Sequence, residues 1–212
     1  MIKAVIFDMD GVLVDSEPAN NEQVADFMEA LKERPTDAFL DSLVGTSFEV
    51  TSQMCVDYLG LKMDPQKFAE DLGEYMGSHP FQYSKYLNPN VREILEDLRT
   101  REYKTAIASS SLISQIQRML KECNLENEFD LILSGEMFVE SKPNPEIYLV
   151  AAQKLGVEPS ECLVIEDSSF GIEAGKRAGM KVLALEDTRY GIDQSQADHK
   201  ISNMLEIKQY LD

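Results

Sequence analysis

The stretch FDMDGVLVDSEP, residues 7–18, sets two aspartates, Asp8 and Asp10, two positions apart where the apolar run AVIF stops. Two readings are open. Asp10-Gly11 between the apolar runs AVIF and VLV is a hairpin-turn signal, which accounts for Asp10 and leaves Asp8 without a role. In strand alternation Asp8 and Asp10 point the same way, and two neighbouring carboxylates repel unless a cation or a shared proton compensates. The second reading therefore places a divalent metal or acid–base chemistry at the end of this strand.

Outward from this stretch the apolar spacing turns helical, from about Glu17 to Met76. Val24, Phe27, Met28 and Leu31 follow i, i+3, i+4, i+7, and Phe68, Leu72, Tyr75 and Met76 follow i, i+4, i+7, i+8. Asp64-Pro65 reads as the cap and first-turn proline of the second helix. Weaker helical segments lie at residues 36–44 and 48–59, joined by VGTSF. The region is expected to be a small all-helical insert over residues 16–81, with residues 1–15 and 82–212 forming the core domain.

After Pro80 helices and strands alternate. Helices around Val91 to Leu98, Ile116 to Cys123, Pro145 to Leu155 and Ile172 to Ala178 precede the apolar runs KTAIA, LIL, CLVI and KVLAL in turn. Repeated helix–strand units with short apolar strands predict a parallel, doubly wound α/β sheet covered by helices. The final segment, ADHKISNMLEIKQYLD, reads as a short strand and a closing helix.

Composition removes several classes of function. The chain has 212 residues, enough for an ample core, and its acids outnumber its bases 38 to 20, a formal charge of -18 that repels nucleic acid and anionic membrane. An anionic ligand must then be held by local charge. No apolar run approaches the roughly 18 residues of a membrane span, and acids interrupt the apolar start of MIKAVIFDMDG where a signal peptide would continue, so the cytoplasm is the expected compartment. Cys55, Cys123 and Cys162 lie far apart without a CxxC pair, and are read as small buried hydrophobes. His79 and His199 are read as surface residues.

On the expected scaffold Asp8 follows AVIF, Ser109 follows TAIA, and Glu166-Asp167 follows CLVI, each at the carboxyl end of a strand. Open parallel sheets bind ligands at that edge. Lys142, in SKPNPEIY, is either a solvated residue before a proline-started helix or an ammonium fixed opposite the carboxylates, as a phosphate dianion would require.

These residues carry a family resemblance. FDMDGV, AIASSS, SKPNPEIY and VIEDSSFGIEAGKRAGM resemble, in order and spacing, the four motifs of the haloacid dehalogenase superfamily, over the core from Met1 to about Asp187. The helical insert resembles that family's cap, and the chain is most similar to the sugar-phosphate phosphatase and β-phosphoglucomutase branch. The resemblance implies a Rossmann-like core, a magnesium cofactor and a small phosphorylated metabolite as substrate. It implies Asp8 as nucleophile, forming an aspartyl phosphate, and Asp10 as general acid and base. Ser109, Ser110 and Lys142 would bind phosphate. Asp8, the Asp10 backbone carbonyl and Asp167 would ligate magnesium, with Glu166 either a direct ligand or one acting through water.

The same resemblance separates neighbouring chemistries. Dehalogenases generally lack the second aspartate, and phosphonate-cleaving members usually place alanine there, so Asp10 favours phosphoryl transfer. The mutase branch carries a histidine and a cap-loop arginine where this chain has Asn20 and Phe48, which favours a phosphatase over a mutase. Phe48 with Thr46 is a candidate substrate-pocket lining, or else cap core. The cap would close on hinges near residues 14–17 and 77–81. An idle scaffold that binds a partner through its cap is the alternative from another class, disfavoured by the intact motifs. Oligomeric state is left open, a monomer being the simpler expectation.

Overall fold

Ala4, Val5, Ile6 and Phe7 are fully buried and form strand β1 (Ala4–Phe7), the run whose end carries the paired aspartates. The structure, a computed structural model, describes residues 1–211; Asp212, the last residue of the expected closing segment, lies outside them. The chain divides into two compact units, Met1–Asp15 with Tyr83–Asp212, and Ser16–Gln82.

The second unit is helical throughout its regular structure: α1 (Glu17–Leu31), α2 (Asp37–Asp41), α3 (Phe48–Leu59) and α4 (Pro65–Ser78). Local chemistry starts and stops these helices. Thr36, Ser47 and Asp64 cap α2, α3 and α4 by accepting hydrogen bonds from Phe39, Val50 and Gln66 backbone N–H groups. Gly60 ends α3 in the left-handed conformation, φ 60°. Val24, Phe27, Met28, Leu40, Cys55, Leu59, Phe68 and Leu72 then close a core that belongs to this unit alone. Leu31, the last position of the α1 stripe, falls outside that core and is exposed.

The first unit holds a parallel sheet in the order β3-β2-β1-β4-β5-β6. Its further strands are β2 (Lys104–Ser109), β3 (Leu131–Ser134), β4 (Cys162–Glu166), β5 (Lys181–Leu185) and β6 (His199–Ile201). The helices α5 (Val91–Thr100), α6 (Ile113–Glu122), α7 (Glu146–Leu155) and α8 (Ser169–Arg177) precede β2, β3, β4 and β5 in turn, and β6 follows β5 without a helix, the doubly wound arrangement that the alternating pattern predicts. The closing helix is a 3-10 helix, Met204–Tyr210, which buries Met204 and Ile207, positions three apart that share one side of a three-residue turn. No helix among the described residues is long and apolar enough to cross a membrane.

Register positions the chemistry. Phe7 pairs with Ile107 on β2 and with Ile165 on β4, so one residue further on Asp8, Ala108 and Glu166 stand level across three neighbouring strands. Below them, Ala4, Ile6, Ala106, Cys162 and Val164 face a core shared with α7 and α8. Side chains two apart share a face, so Asp8 and Glu166 continue the column of Ile6 and Val164 at its upper end. The core under α7 and α8 thereby ends in charge.

The helical unit supplies a test of its packing. Phe68 is fully buried and meets Phe27 edge-on, with centroids 5.2 Å apart and planes at 73°. Phe68→Ala should cost about 3–5 kcal/mol, read as a lower urea midpoint at unchanged m; a cost below about 1 kcal/mol would contradict the packing described.

Candidate active site

Beyond Phe7 the backbone leaves the sheet at once. Leu13 and Val14 N–H groups both donate to the Met9 carbonyl, and Gly11 N–H donates to Val14, closing a tight loop in which Gly11 has φ 75°. Strand alternation therefore does not carry Asp10, because β1 ends at Phe7. The loop carries it instead, and the hairpin reading of Asp10-Gly11 gives way to a turn between β1 and the helical unit. Asn88 braces the turn by donating to the Val12 carbonyl at 2.6 Å. The Gly11 position admits no side chain, since a Cβ there would lie 2.0 Å from Asp167 Oδ2.

Lys142 enters this edge from the segment before α7, immediately ahead of Pro143, to which it is joined by a cis peptide. Its ammonium donates to Asp8 Oδ1 at 2.6 Å, Glu166 Oε1 at 2.6 Å and the Ala108 carbonyl at 2.9 Å. These are the three residues that the register sets level. The Lys142 side chain is only 6% exposed, so the solvated-lysine reading fails.

Three serines, Ser109, Ser111 and Ser134, organise the rest of the edge. Ser109 is the buried last residue of β2, and its hydroxyl accepts from Ser111 N–H at 3.0 Å. Ser111 donates its own hydroxyl to Asp10 Oδ2 at 2.6 Å and is itself held through its carbonyl by Ser134. Ser110 is exposed. Asp8, Asp10, Ser109, Lys142, Glu166 and Asp167 thus belong to one edge of one unit.

The cap candidates Asn20, Thr46 and Phe48 lie in the helical unit. Asn20 is on α1 and half-buried. Thr46 shares a hydrogen bond of 2.7 Å with Thr51. Phe48, the first residue of α3, is 48% exposed, so it is not part of that unit's core.

The electrostatics are uneven. Burial pushes the Asp8 carboxyl up from 3.8 to about 7; Lys142 pulls it down, and Glu166 and Asp10 push it further up. Burial also opposes charge on Lys142, yet Asp8 and Glu166 outweigh it and hold the ammonium well above its ordinary value. Burial likewise opposes the Glu166 carboxylate, which its Lys142, Tyr148 and Ser168 partners nevertheless keep below the ordinary range.

Asp8, Glu166 and Asp167 each present a carboxylate oxygen, the three lying within 4.8 Å of one another. Hard oxygen donors in excess of one ammonium suit a divalent cation of the magnesium type, so the residues fit such an ion.

Reasoning from sequence did not single out Ser111, Tyr148, Ser168 or the two glycines of closest approach. Tyr148 donates its hydroxyl to Glu166 Oε1 at 2.8 Å. Ser168 caps α8 through Gly171 N–H and donates to Glu166 Oε2 at 3.0 Å. A Cβ at Gly171 would lie 1.7 Å from Glu166 Oε1. Each of these residues lies in or beside a quoted motif, but a single chain marks none of them apart from its neighbours.

Known proteins resemble this chain along most of its length. The profile described as haloacid dehalogenase-like hydrolase matches residues 5–185. A phosphorylated carbohydrates phosphatase of Thermotoga maritima is 32% identical over 199 residues, covering 94% of this chain and 89% of the relative. The crystal structure of a predicted phosphoglycolate phosphatase from Haemophilus somnus superposes with a TM-score of 0.84 at 26% identity, covering 100% of this chain and 98% of that one. The β-phosphoglucomutase of Clostridium difficile shares the fold, with a TM-score of 0.76 at 24% identity over 100% and 97% of the two chains.

The raised Asp8 has a thermodynamic consequence. A folded chain that keeps a proton on Asp8 up to about pH 7 binds more protons than the unfolded chain, so stability falls as pH rises from about 4 to about 7 and levels off above that. Asp8→Asn removes this term. In EDTA it should melt above wild type beyond pH 7, with the gap narrowing toward pH 4. A gap that widens toward pH 4 would contradict the raised carboxyl.

Proposed function

The chain belongs to the haloacid dehalogenase-like hydrolases, and on that premise we propose that it is a magnesium-dependent phosphatase of small phosphomonoesters, sugar phosphates foremost, working through an aspartyl phosphate on Asp8. The observation that carries the reading is the Lys142 ammonium held 2.6 Å from both Asp8 and Glu166 at the carboxyl edge of a parallel sheet, a fixed positive charge where a phosphoryl group would sit. The relatives named as phosphatases support the same reading. A small phosphorylated metabolite in the cytoplasm is the partner it calls for.

In this proposal Asp8 attacks phosphorus in line, forming the carboxylate–phosphorus bond as the ester P–O bond breaks. Its Oδ1 is engaged by Lys142, which leaves Oδ2 as the attacking atom. Asp10 gives a proton to the leaving oxygen and then takes one from the water that cleaves the aspartyl phosphate. Ser111, bonded to Asp10 Oδ2, orients it. The Ser109 hydroxyl accepts from Ser111 N–H and so keeps its own proton to donate to a phosphoryl oxygen, beside the backbone N–H of Ser110 and the charge of Lys142. Magnesium, held by Asp8, the Asp10 backbone carbonyl and Asp167, would neutralise phosphoryl oxygens that one lysine cannot.

Mutase chemistry needs a clamp for a second phosphate. Asn20 and Phe48 stand where that branch has histidine and arginine, and hydrolysis is proposed on that ground.

Release of phosphate from p-nitrophenyl phosphate and from a panel of sugar phosphates, with magnesium and with EDTA, tests the reading. Turnover should require the metal, and Asp8→Asn should fall below about a hundredth of wild type; metal-independent turnover, or activity retained by Asp8→Asn, would sink it. Selectivity is assigned to the helical unit. Phe48→Arg and Asn20→His should shift the ranking of sugar phosphates while p-nitrophenyl phosphate, whose leaving group has no sugar hydroxyls, changes less than about tenfold. Unchanged ranking in both variants would move specificity to other residues.

A further inference from the structure

Asn88 stands between the 3-10 turn Tyr83–Lys85 and α5, directly ahead of Pro89, and a proline favours extended backbone in the residue before it. Leu87 pairs antiparallel with Val14, an alignment that brings Asn88 alongside the turn after β1. There it takes three successive carbonyls. The side-chain amide donates to Val12 at 2.6 Å and, at a longer 3.4 Å, to Gly11, while the backbone N–H donates to Leu13 at 2.9 Å. Both side-chain partners are acceptors, so only the NH2 end of the amide can face them.

The turn depends on a hold of this kind. Its own hydrogen bonds, from Leu13 and Val14 N–H to Met9 and from Gly11 N–H to Val14, close it without attaching it to its surroundings. Met9, Val12 and Leu13 bury their side chains, which fixes where the turn lies. Its peptide planes are less constrained, because Gly11, with φ 75°, lacks the side chain that would restrict its dihedrals. β1 holds the chain on the Asp10 side of Gly11, and Asn88 holds it on the other. A cavity of about 350 Å³, lined by Gly11, Asp15, Asn88, Leu185, Arg189 and Met204 among others, borders the turn, so close packing does not set the planes on that side. Ser111 grips the Asp10 carboxylate itself, a contact that keeps its direction only while the backbone beneath it stays in place.

We propose that Asn88 is a positioning residue for Asp10: by fixing the peptide planes after Gly11 it keeps the Asp10 carboxyl aimed at the leaving oxygen. It acts through the turn and not on the phosphoryl group. The inference rests on the phosphatase reading for the task of Asp10, and on geometry alone for the hold on the turn.

That task separates two kinds of leaving group. A sugar alkoxide needs the proton that Asp10 gives, whereas p-nitrophenolate leaves readily without one, and kcat/KM covers only the steps through departure of that group. Two variants remove the amide donor, Asn88→Ala and the equally shaped Asn88→Asp. At saturating magnesium each should lower kcat/KM at least about tenfold for the sugar phosphate that wild type turns over fastest, and leave p-nitrophenyl phosphate within about threefold. Loss of folded protein would lower both alike, so equal falls, or none, overturn the proposal; should one variant fail to fold, the other decides.

Hydrogen exchange of the full chain tests the hold apart from any activity. Backbone exchange over residues 9–14 should quicken at least about tenfold in the variants, with β4 unchanged, and wild-type exchange in the turn would overturn the proposal. Wild-type protein that releases no phosphate from any phosphomonoester would sink the phosphatase reading and with it the task given to Asp10, while exchange would still show whether Asn88 holds the turn.

Discussion

One buried ammonium, that of Lys142, holds the edge of the sheet together. It sits level with three neighbouring strands and donates to a group on each: Asp8 after β1, the Ala108 carbonyl of β2, and Glu166 at the end of β4. A charge this deeply buried is tolerable only when its donors are satisfied and its countercharges are close. The dependence runs both ways, because Asp8 and Glu166 would repel across the gap without it. The parallel register of β1 with β2 and β4 is thus tied to the placement of a lysine more than thirty residues upstream of β5.

Close approach is the second constraint. The backbone at Gly171 passes so near Glu166 that a methyl group would occupy the carboxylate's own position, and Gly11 stands in the same relation to Asp167. At Gly11 the left-handed φ of 75° adds a conformational reason to the steric one. Small residues here do what large ones do in a core, since they let charged groups from separate segments meet with water excluded. Exclusion of water is what lifts Asp8 toward neutrality and what gives a fixed ammonium its reach.

The helical unit is governed by different physics. Its four helices close on aromatic and aliphatic contacts such as Phe27 with Phe68 and Tyr75, with caps from Thr36, Ser47 and Asp64. No buried charge network comparable to that around Lys142 occurs among its described residues; its multiple ion pairing, at Arg34 with Glu22, Asp26 and Glu29, lies at the surface. A unit so held can exchange surface residues such as Phe48 without disturbing the core that folds it.

By itself the sequence determined the class of fold, because apolar periodicity and capping are local: four-residue apolar runs alternate with amphipathic stripes, and each half of the pattern states its own secondary structure. It also showed which polar residues interrupt those runs, and so named Asp8, Ser109, Lys142, Glu166 and Asp167 before any contact was known. Only the tertiary structure decided how they meet. Alternation along a strand could not place Asp10, since the chain turns away after Phe7 and a loop hydrogen bond from Ser111 holds the side chain. Tyr148 was not singled out in the sequence, and its hydroxyl acquired meaning only when packing set it against Glu166. Hydrogen bonds and ion pairs between segments more than a hundred residues apart, as between Asp8 and Lys142, leave no periodic trace in a chain, because they are fixed by where the backbone goes and not by what lies next in sequence.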